Sequence, residues 1–411
     1  MKATHLLAIT ALGAALVTAL PAQAQSTQYQ LFDLGQLTSG DLMYVTGLNN
    51  SGQVTGYAYT AGYNGWSSTD DYRAFVTGAD GGGLSALGTL GGSWSKAAAI
   101  NDAGLVAGSS QTAGGGYRAF LGGTGHATLQ DLGTLAGSTN SAAVAINASG
   151  QVIGTASVDS ASGPPFQDNV RGFITGANGQ AMQGLGTLNN VALVGRAIND
   201  QGRVAGHVGD SLLNQQGAFV TAANGSAPHS LPADVIDATA INNAGQVAGN
   251  ASGRLGVESS DAFLGIGSTG AQLLDFQGVP NWNGGYLGGS GQYGPAGASQ
   301  AFDVNELGQV AGSFANHRQQ RSYAFITGAN GQGVINVNSL FTLPDGDYFS
   351  SVTGINDEGQ FVVNTGYGHA YLISPVPEPA TAALWLAGLL LVGRLLRKPR
   401  AEPGLSVPAC A

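Results

Sequence analysis

Cysteine is all but missing from this chain: the single copy, Cys410, is the next-to-last residue. The body therefore has no disulfide, no thiolate nucleophile and no cysteine-based metal site. Lysine is nearly as scarce, occurring once between Gln25 and Val376, at Lys96. Charged residues are 9% of the 411, far below the roughly 25% of ordinary soluble domains, and with Lys and Glu go the usual builders of exposed helices. What remains is Val, Thr, Ile, Ala and 67 glycines, a vocabulary of short strands and tight turns. The glycines keep no Gly-x-y period, which excludes collagen.

Basic charge is also in deficit. Between Gln25 and Val376 there are 22 acidic residues against 9 basic ones. Such a body repels nucleic acid and anionic lipid, so nucleic acid is not an expected partner. Solubility explains the acidity best, with scattered calcium sites as the sharper alternative.

Catalytic signatures are absent as well. His5, His126, His207, His229, His317 and His369 form no His-Glu-x-x-His or other short metal spacing. There is no Gly-x-Ser-x-Gly elbow and no phosphate loop. Asp33 and Asp131 recur within Asp-Leu-Gly, which marks a repeat feature rather than a unique acid pair. No catalytic residue, cofactor or metal is assigned.

The two ends carry addresses. Lys2 precedes an apolar run from Leu6 to Leu20, then Ala22-Gln23-Ala24. This is the layout of a signal peptide over residues 1–24, cut by signal peptidase after Ala24. At the other end Val376-Pro377-Glu378-Pro379 leads into an apolar stretch and then Arg394, Arg397, Lys398 and Arg400. Residues 380–396 predict a short transmembrane helix, with the basic cluster held cytoplasmic by the positive-inside rule. The order of Pro-Glu-Pro, apolar helix and basic cluster over 376–400 resembles the PEP-CTERM sorting signal. That resemblance implies handling by an exosortase-type membrane enzyme, with the body left at the cell surface or outside. Residues 401–411 run on past the basic cluster, where such tails usually stop. A plain single-pass anchor is the alternative.

The body, residues 25–375, is repetitive. The motif Ile-Asn-x-x-Gly-Gln-Val-x-Gly places Asn at 49, 101, 147, 199, 242, 305 and 356, with Gly three residues later each time. An apolar residue ends one strand, Asn caps a turn, Gly takes positive φ, and an apolar residue opens the next strand; the motif predicts a β-hairpin. Asn-Asp-x-Gly at Asn101, Asn199 and Asn356 is read as turn chemistry in preference to calcium loops. A second element places Phe75, Phe120, Phe173, Phe219, Phe263, Phe325 and Tyr371 after Ala or Gly. A third, Leu-Gly-x-Leu, precedes several hairpins at Leu34, Leu87, Leu132 and Leu185 and is taken as the first strand of each unit.

Units of about 50 residues with three or four short strands predict an all-β, seven-bladed β-propeller. The aromatics should fill the space between blades. The small residues before the motif Ile (Gly47, Ala99, Ala145, Ala197, Ala240) should let blades approach closely. A β-solenoid is the main rival. The Ile-Asn-x-x-Gly-Gln-Val-x-Gly and Leu-Gly-Thr-Leu-Gly-Gly elements, the latter complete over 87–92, resemble the HAF family of extracellular repeats. The resemblance implies location and architecture, not an activity. Its His survives only at His369; the position otherwise holds Arg73, Arg118, Arg171, Gly217, Asp261 or Tyr323, which reads as a variable surface position.

Insertions break the repeat. One carries Trp282, Tyr286 and Tyr293; another carries Tyr63 and Trp66 near Asp70 and Asp71. Aromatics in loops on a rigid scaffold suit sugar rings. Trp282, Tyr286, Tyr293 and Trp66 are thus the candidate ligand-binding residues, with extracellular polysaccharide the candidate partner. The favoured expectation is a noncatalytic binding or matrix protein. The alternative is a propeller hydrolase or lyase acting on extracellular glycans, with Asp70, Asp71, Arg318 and Arg321 as the charged residues to watch. A purely structural surface protein is a third.

Overall fold

A computed structural model describes residues 27–376, apart from 38–41, 60–71, 127, 158–169, 210–215, 253–259, 267–270, 277, 281–298 and 317–318. Seven antiparallel sheets follow one another along the chain, and they form a seven-bladed β-propeller. The innermost strands are Met43–Leu48, Gly91–Ile100, Asn140–Ile146, Val191–Ile198, Val235–Ile241, Ser299–Val304 and Phe349–Ile355, which define blades 1 to 7. The compact unit runs from Gln30 to Ser374. Of the residues flanking it, the Val376 N–H donates to the Gln28 carbonyl at 2.8 Å.

Each motif folds as its chemistry requires. In blade 1 the Gly52 N–H reaches the Asn49 carbonyl (3.0 Å), the Asn49 N–H reaches the Gln53 carbonyl (3.1 Å), and Gly52 has φ +72°. This is a turn whose last position needs the left-handed region. The motif's final glycine answers to a different demand. A Cβ on Gly154 would stand 2.0 Å from the Ala142 carbonyl and 2.7 Å from Cζ of Phe173; the ring of the third strand lies over the bare backbone of the second.

Every innermost strand carries a one-residue bulge, for example between Val45 and Gly47 and between Gly195 and Ala197. The extra residue breaks the two-residue alternation. It turns Thr46, Ala98, Val144, Arg196, Thr239, Phe302 or Thr353 along the channel wall: the Oγ1 of Thr46, Thr239 and Thr353 each donates to a carbonyl of the next blade.

The aromatics sit between blades as expected. Phe75, Phe120, Phe173, Phe219, Phe263 and Phe325 are all buried. Several interfaces follow a similar recipe: residues of one blade's second and third strands, a leucine from the connection, and the Val and Phe of the next blade. Blades 1 and 2, for example, share Ala74, Val76, Leu87, Ala97, Ile100, Val106 and Phe120. The small residues before the motif Ile also matter as expected, since a Cβ on Gly47 would come within 3.3 Å of Ala99 Cα in the next blade.

The phase of the repeat differs from the sequence reading. The Leu-Gly-x-Leu element does not open a blade; its leucine follows the outermost strand of the blade before. These outer strands are Ser85–Ala86, Gln130–Asp131, Gln183–Gly184, His229–Ser230, Ala271–Leu273 and Ile335–Asn336. Most are two residues long and exposed, so they leave no alternation to read. Leu87, Leu132 and Leu185 cross to the next blade with their N–H groups on the carbonyls of Ala74, Ala119 and Gly172, and Leu231 and Leu274 continue the series. In blade 4, Thr187–Leu188 folds back on Val191 through Asn189 and Asn190, both at positive φ.

The last blade is composite. Its order is Tyr29–Asp33, Ala370–Pro375, Phe361–Thr365, Phe349–Ile355, so the first strand of the chain closes the sheet begun by the last three. Closure removes the open strand edge that an interrupted ring would present.

Candidate functional site

The repeated polar residues converge on one mouth of the central channel. Asn49, Asn101, Asn147, Asn199, Asn242, Asn305 and Asn356 are each 3–5% exposed. Each Nδ2 donates to the main-chain carbonyl of the next asparagine at 2.9–3.1 Å, and Asn356 returns to Asn49. The result is a closed ring of seven cross-blade hydrogen bonds. Each Oδ1 meanwhile accepts the N–H four residues on, at 2.9–3.0 Å. Both ends of the amide are thus used, one within the hairpin and one across the interface.

The next residue of each turn forms a second circle. Carboxylates of Asp102, Asp200, Glu306 and Asp357 accept N–H groups of the preceding blade's turn at 2.8–2.9 Å. Asn243 and Asn50 do the same with their amide oxygens. Blade 3 has Ala148 here and supplies no acceptor. The acids of the Asn-Asp-x-Gly turns therefore serve neighbouring blades, and among the described residues no three metal-ligating side chains gather closely enough to hold an ion. These groups line a cavity of about 220 Å³. Asp303 also lines it, in the place the other blades give to Gly or Ala. Burial pushes its carboxyl up to about 6, against the pull of N–H donors from Val304 and Ile355 and with Asp357 adding to the rise.

Four of the motif glutamines latch a blade to the next. Gln53, Gln151, Gln246 and Gln360 accept from their own Asn and donate through Nε2 to Thr124, Asn224, Asn330 and Asp80. Three of these partners, Asn224, Asn330 and Asp80, hold positive φ in tight three-residue turns.

Several other unrepeated residues lie toward the opposite mouth. Second and third strands are joined there, and each outer strand runs there before the next blade begins. The described strands on either side of 60–71 and of 281–298 end on this face. Tyr44 stacks on Tyr57 with ring centres 5.4 Å apart, Tyr59 meets Tyr72 edge-on at 4.5 Å, and Lys96 Nζ lies 3.8 Å from the centre of Tyr72. Arg73, Arg118 and Arg171 reach main-chain oxygens of Ser93, Thr139 and Ala136. At this position, read from sequence as variable surface, Arg73 and Arg118 bond to the next blade, whereas Arg171 bonds into the connection that precedes its own blade. His369 instead pairs with Asp347 at 2.9 Å.

Among the described residues, the wall between blades 4 and 5 holds a polar set that no other interface has. Arg196 Nε stands 3.4 Å from Asp237 Oδ2, and His207 Nδ1 stands 3.5 Å from Asp237 Oδ1. Asn250 faces Asp237 across the ladder. No sequence signal marked these residues, because they are unrepeated and far apart in the chain.

Of the residues singled out from sequence, Trp66, Trp282, Tyr286 and Tyr293 lie outside the described residues, as do Asp70, Asp71 and Arg318. So do residues 1–24, Pro377, Glu378, Pro379, the helix expected over 380–396, and Arg394, Arg397, Lys398 and Arg400. No helix among the described residues is long and apolar enough to cross a membrane. Arg321 is described, and its guanidinium lies 4.5 Å from the centre of the Tyr348 ring.

No protein-family model matches the chain, and no curated protein matches it. Solved structures do. The acylaminoacyl peptidase of Pyrococcus horikoshii superposes with a TM-score of 0.50 at 7% identity, over 87% of this chain and 55% of that one. The chain therefore spans about half the length of that enzyme. Virginiamycin B lyase from Staphylococcus aureus gives 0.45 at 9% identity, over 85% and 100% of the two chains. A gluconolactonase from Xanthomonas campestris gives 0.36 at 10% identity, over 85% and 90%. At these identities the likeness is one of fold alone.

Proposed function

We propose that this protein is an exported, noncatalytic propeller that binds extracellular polysaccharide at the mouth opposite the asparagine ring. One observation carries the reading: the two mouths divide the work. The repeated polar residues are consumed in joining blades at one end. Aromatics and basic side chains lie at the other, where the described strands flanking the longest interruptions of the repeat also end. Rigid scaffolds that present unrepeated aromatic and polar groups on one face are built for recognition. The Ala22-Gln23-Ala24 cleavage pattern and the Val376 to Arg400 segment support export, with an exosortase-type enzyme as the processing partner and the inner membrane as the site before processing. Trp282, Tyr286, Tyr293 and Trp66 are proposed as ligand contacts on the same face.

The rival reading, a hydrolase or lyase on extracellular glycans, has its foothold in the unrepeated His207 and Asp237. His207 is 2% exposed, which keeps its ring from any substrate and favours binding.

The test is a glycan array probed with the mature protein recovered from expressing cells, with both termini read by mass spectrometry. The expected result is a chain beginning at Gln25, lacking the segment beyond Pro377, that captures polysaccharide and loses it in Trp282→Ala. An uncleaved chain would overturn the export route. Turnover of a captured polysaccharide would overturn the noncatalytic role.

A further inference from the structure

The interface between blades 4 and 5 contains a cost that the architecture does not require. Among the described residues, the buried side-chain polar atoms with no hydrogen-bond partner are Arg196 Nε, His207 Nδ1, Asp237 Oδ1 and Asn250 Oδ1. All four belong to one corner. Burying charged groups without complete hydrogen bonding is unfavourable, and apolar residues of similar size usually fold as well or better. The other blades show the substitutes. The place of Arg196 is taken by Thr46, Ala98, Val144, Thr239, Phe302 or Thr353, and that of Asp237 by Tyr44, Lys96, Ala142, Val194, Gln300 or Ser351. A polar set retained where Ala and Val suffice points to a ligand.

Geometry says which end of the set the ligand meets. The His207 side chain is 2% exposed and that of Asp237 10%, whereas Arg196 keeps 30% of its side chain accessible. Arg196 occupies the bulge of an innermost strand, so its exposed part faces the channel. Asp237 takes the Nε side of the guanidinium, with His207 and Asn250 beside it, and the Nη groups donate to no described residue. A planar guanidinium with one side fixed and its outer edge free is shaped for the two oxygens of a carboxylate. Lys96 is the other basic residue on an innermost strand, whereas the far mouth is lined by Asp102, Asp200, Asp303, Glu306 and Asp357. An anion therefore enters from the Arg196 side.

We propose that Arg196 binds the carboxylate of a uronic acid at the channel mouth, with Asp237 as its positioning residue. The inference rests on the glycan-binding reading of this face. The choice of a sugar over an acidic peptide follows from that glycan-binding reading; the stacked tyrosines of this mouth, Tyr44, Tyr57, Tyr59 and Tyr72, belong to blade 1, not to blades 4 and 5. One such cation in an acidic body admits one carboxylate, so the ligand is a chain end or a sparsely charged polymer rather than a dense polyanion.

The experiment is an array pairing galacturonate, glucuronate and mannuronate oligosaccharides with their methyl esters, probed with the full secreted protein. At least one free acid should bind more tightly than its ester. Arg196→Ala, which copies Ala98, should weaken the acid by at least about tenfold and leave the ester unchanged; Arg196→Lys should fall between. Asp237→Ala, which copies Ala142, should weaken the acid less than Arg196→Ala does. The double variant, with both residues replaced by sizes found in other blades, should fold and bind the acid no better than the ester. Equal binding of acids and esters, or an Arg196→Ala protein that binds the acid normally, overturns the inference while leaving the glycan-binding reading standing. Binding of neutral glycans only does the same. Binding of no glycan overturns both. A penta-glutamate peptide bound as tightly as the best uronate would make the occupant a peptide and overturn the sugar.

Discussion

Asn356 Nδ2 donates to the main-chain carbonyl of Asn49 at 3.0 Å, across 307 residues of sequence. The same bond joins every other pair of neighbouring blades, so this one joins the last blade to the first. Asn364 reinforces the joint, its amide both accepting from the Val45 N–H and donating to the Val45 carbonyl. At the rim the strand Tyr29–Asp33 completes the sheet of Phe349–Pro375. The ring is thus closed at its axis and at its edge.

Removal of the rim closure should be costly. A chain truncated to begin at Gly35 loses the strand Tyr29–Asp33 and Leu34, which is buried against Val362, Ala370 and Leu372. The uncovered strand Ala370–Pro375 becomes an open edge. The expected result is a loss of about 2–3 kcal/mol or more in denaturant unfolding, with dimers or aggregates in size-exclusion chromatography. An unchanged monomer would mean the strand is not part of the fold.

The motif's last glycine should tolerate no side chain. Gly154→Ala places a methyl group against the Ala142 carbonyl and the Phe173 ring, at 2.0 and 2.7 Å before relaxation. Overpacking of this kind costs about 1–3 kcal/mol and sometimes more. Gly88→Ala meets nothing within 4 Å and should stay within about 0.5 kcal/mol of the parent. Thermal melts of the two variants give the comparison.

Asp303 sets a pH dependence. Its folded-state carboxyl titrates near 6, above the ordinary value, so the folded protein holds this proton more tightly than the unfolded chain. The protonated form therefore favours folding, and stability declines as pH rises from about 4 to about 6, by up to roughly 3 kcal/mol. Asp303→Ala, which copies Ala99 and Ala145, should flatten that part of the curve. A variant with the parent's slope between those pH values would place the effect elsewhere.

Much of the fold was legible because the turn chemistry is local. Asn, two residues and Gly define a hairpin wherever they occur, and seven copies with seven buried aromatics define stacked sheets. The cross-blade half of the asparagine's work was not legible. Its partner is a backbone carbonyl 43 to 63 residues away, or 307 at the closure, and a carbonyl has no sequence signature. The strand phase was missed for a related reason: two-residue outer strands show no alternation. Arg73 and Arg118 looked variable because other blades lack them, yet each bonds to the next blade. The candidate site was the least legible part. Arg196, His207 and Asp237 are ordinary residues in ordinary strands until blades 4 and 5 bring them together.

The most direct test of the closed ring compares Asn147→Ala with Asn356→Ala in equilibrium denaturation. Each asparagine donates to the next blade and to its own glutamine, and accepts one N–H. A closed seven-bladed ring predicts equal losses of about 2–4 kcal/mol in a single cooperative transition for both. A normal Asn356→Ala protein beside a destabilised Asn147→Ala protein would show that the first and last blades do not meet, and would contradict the account.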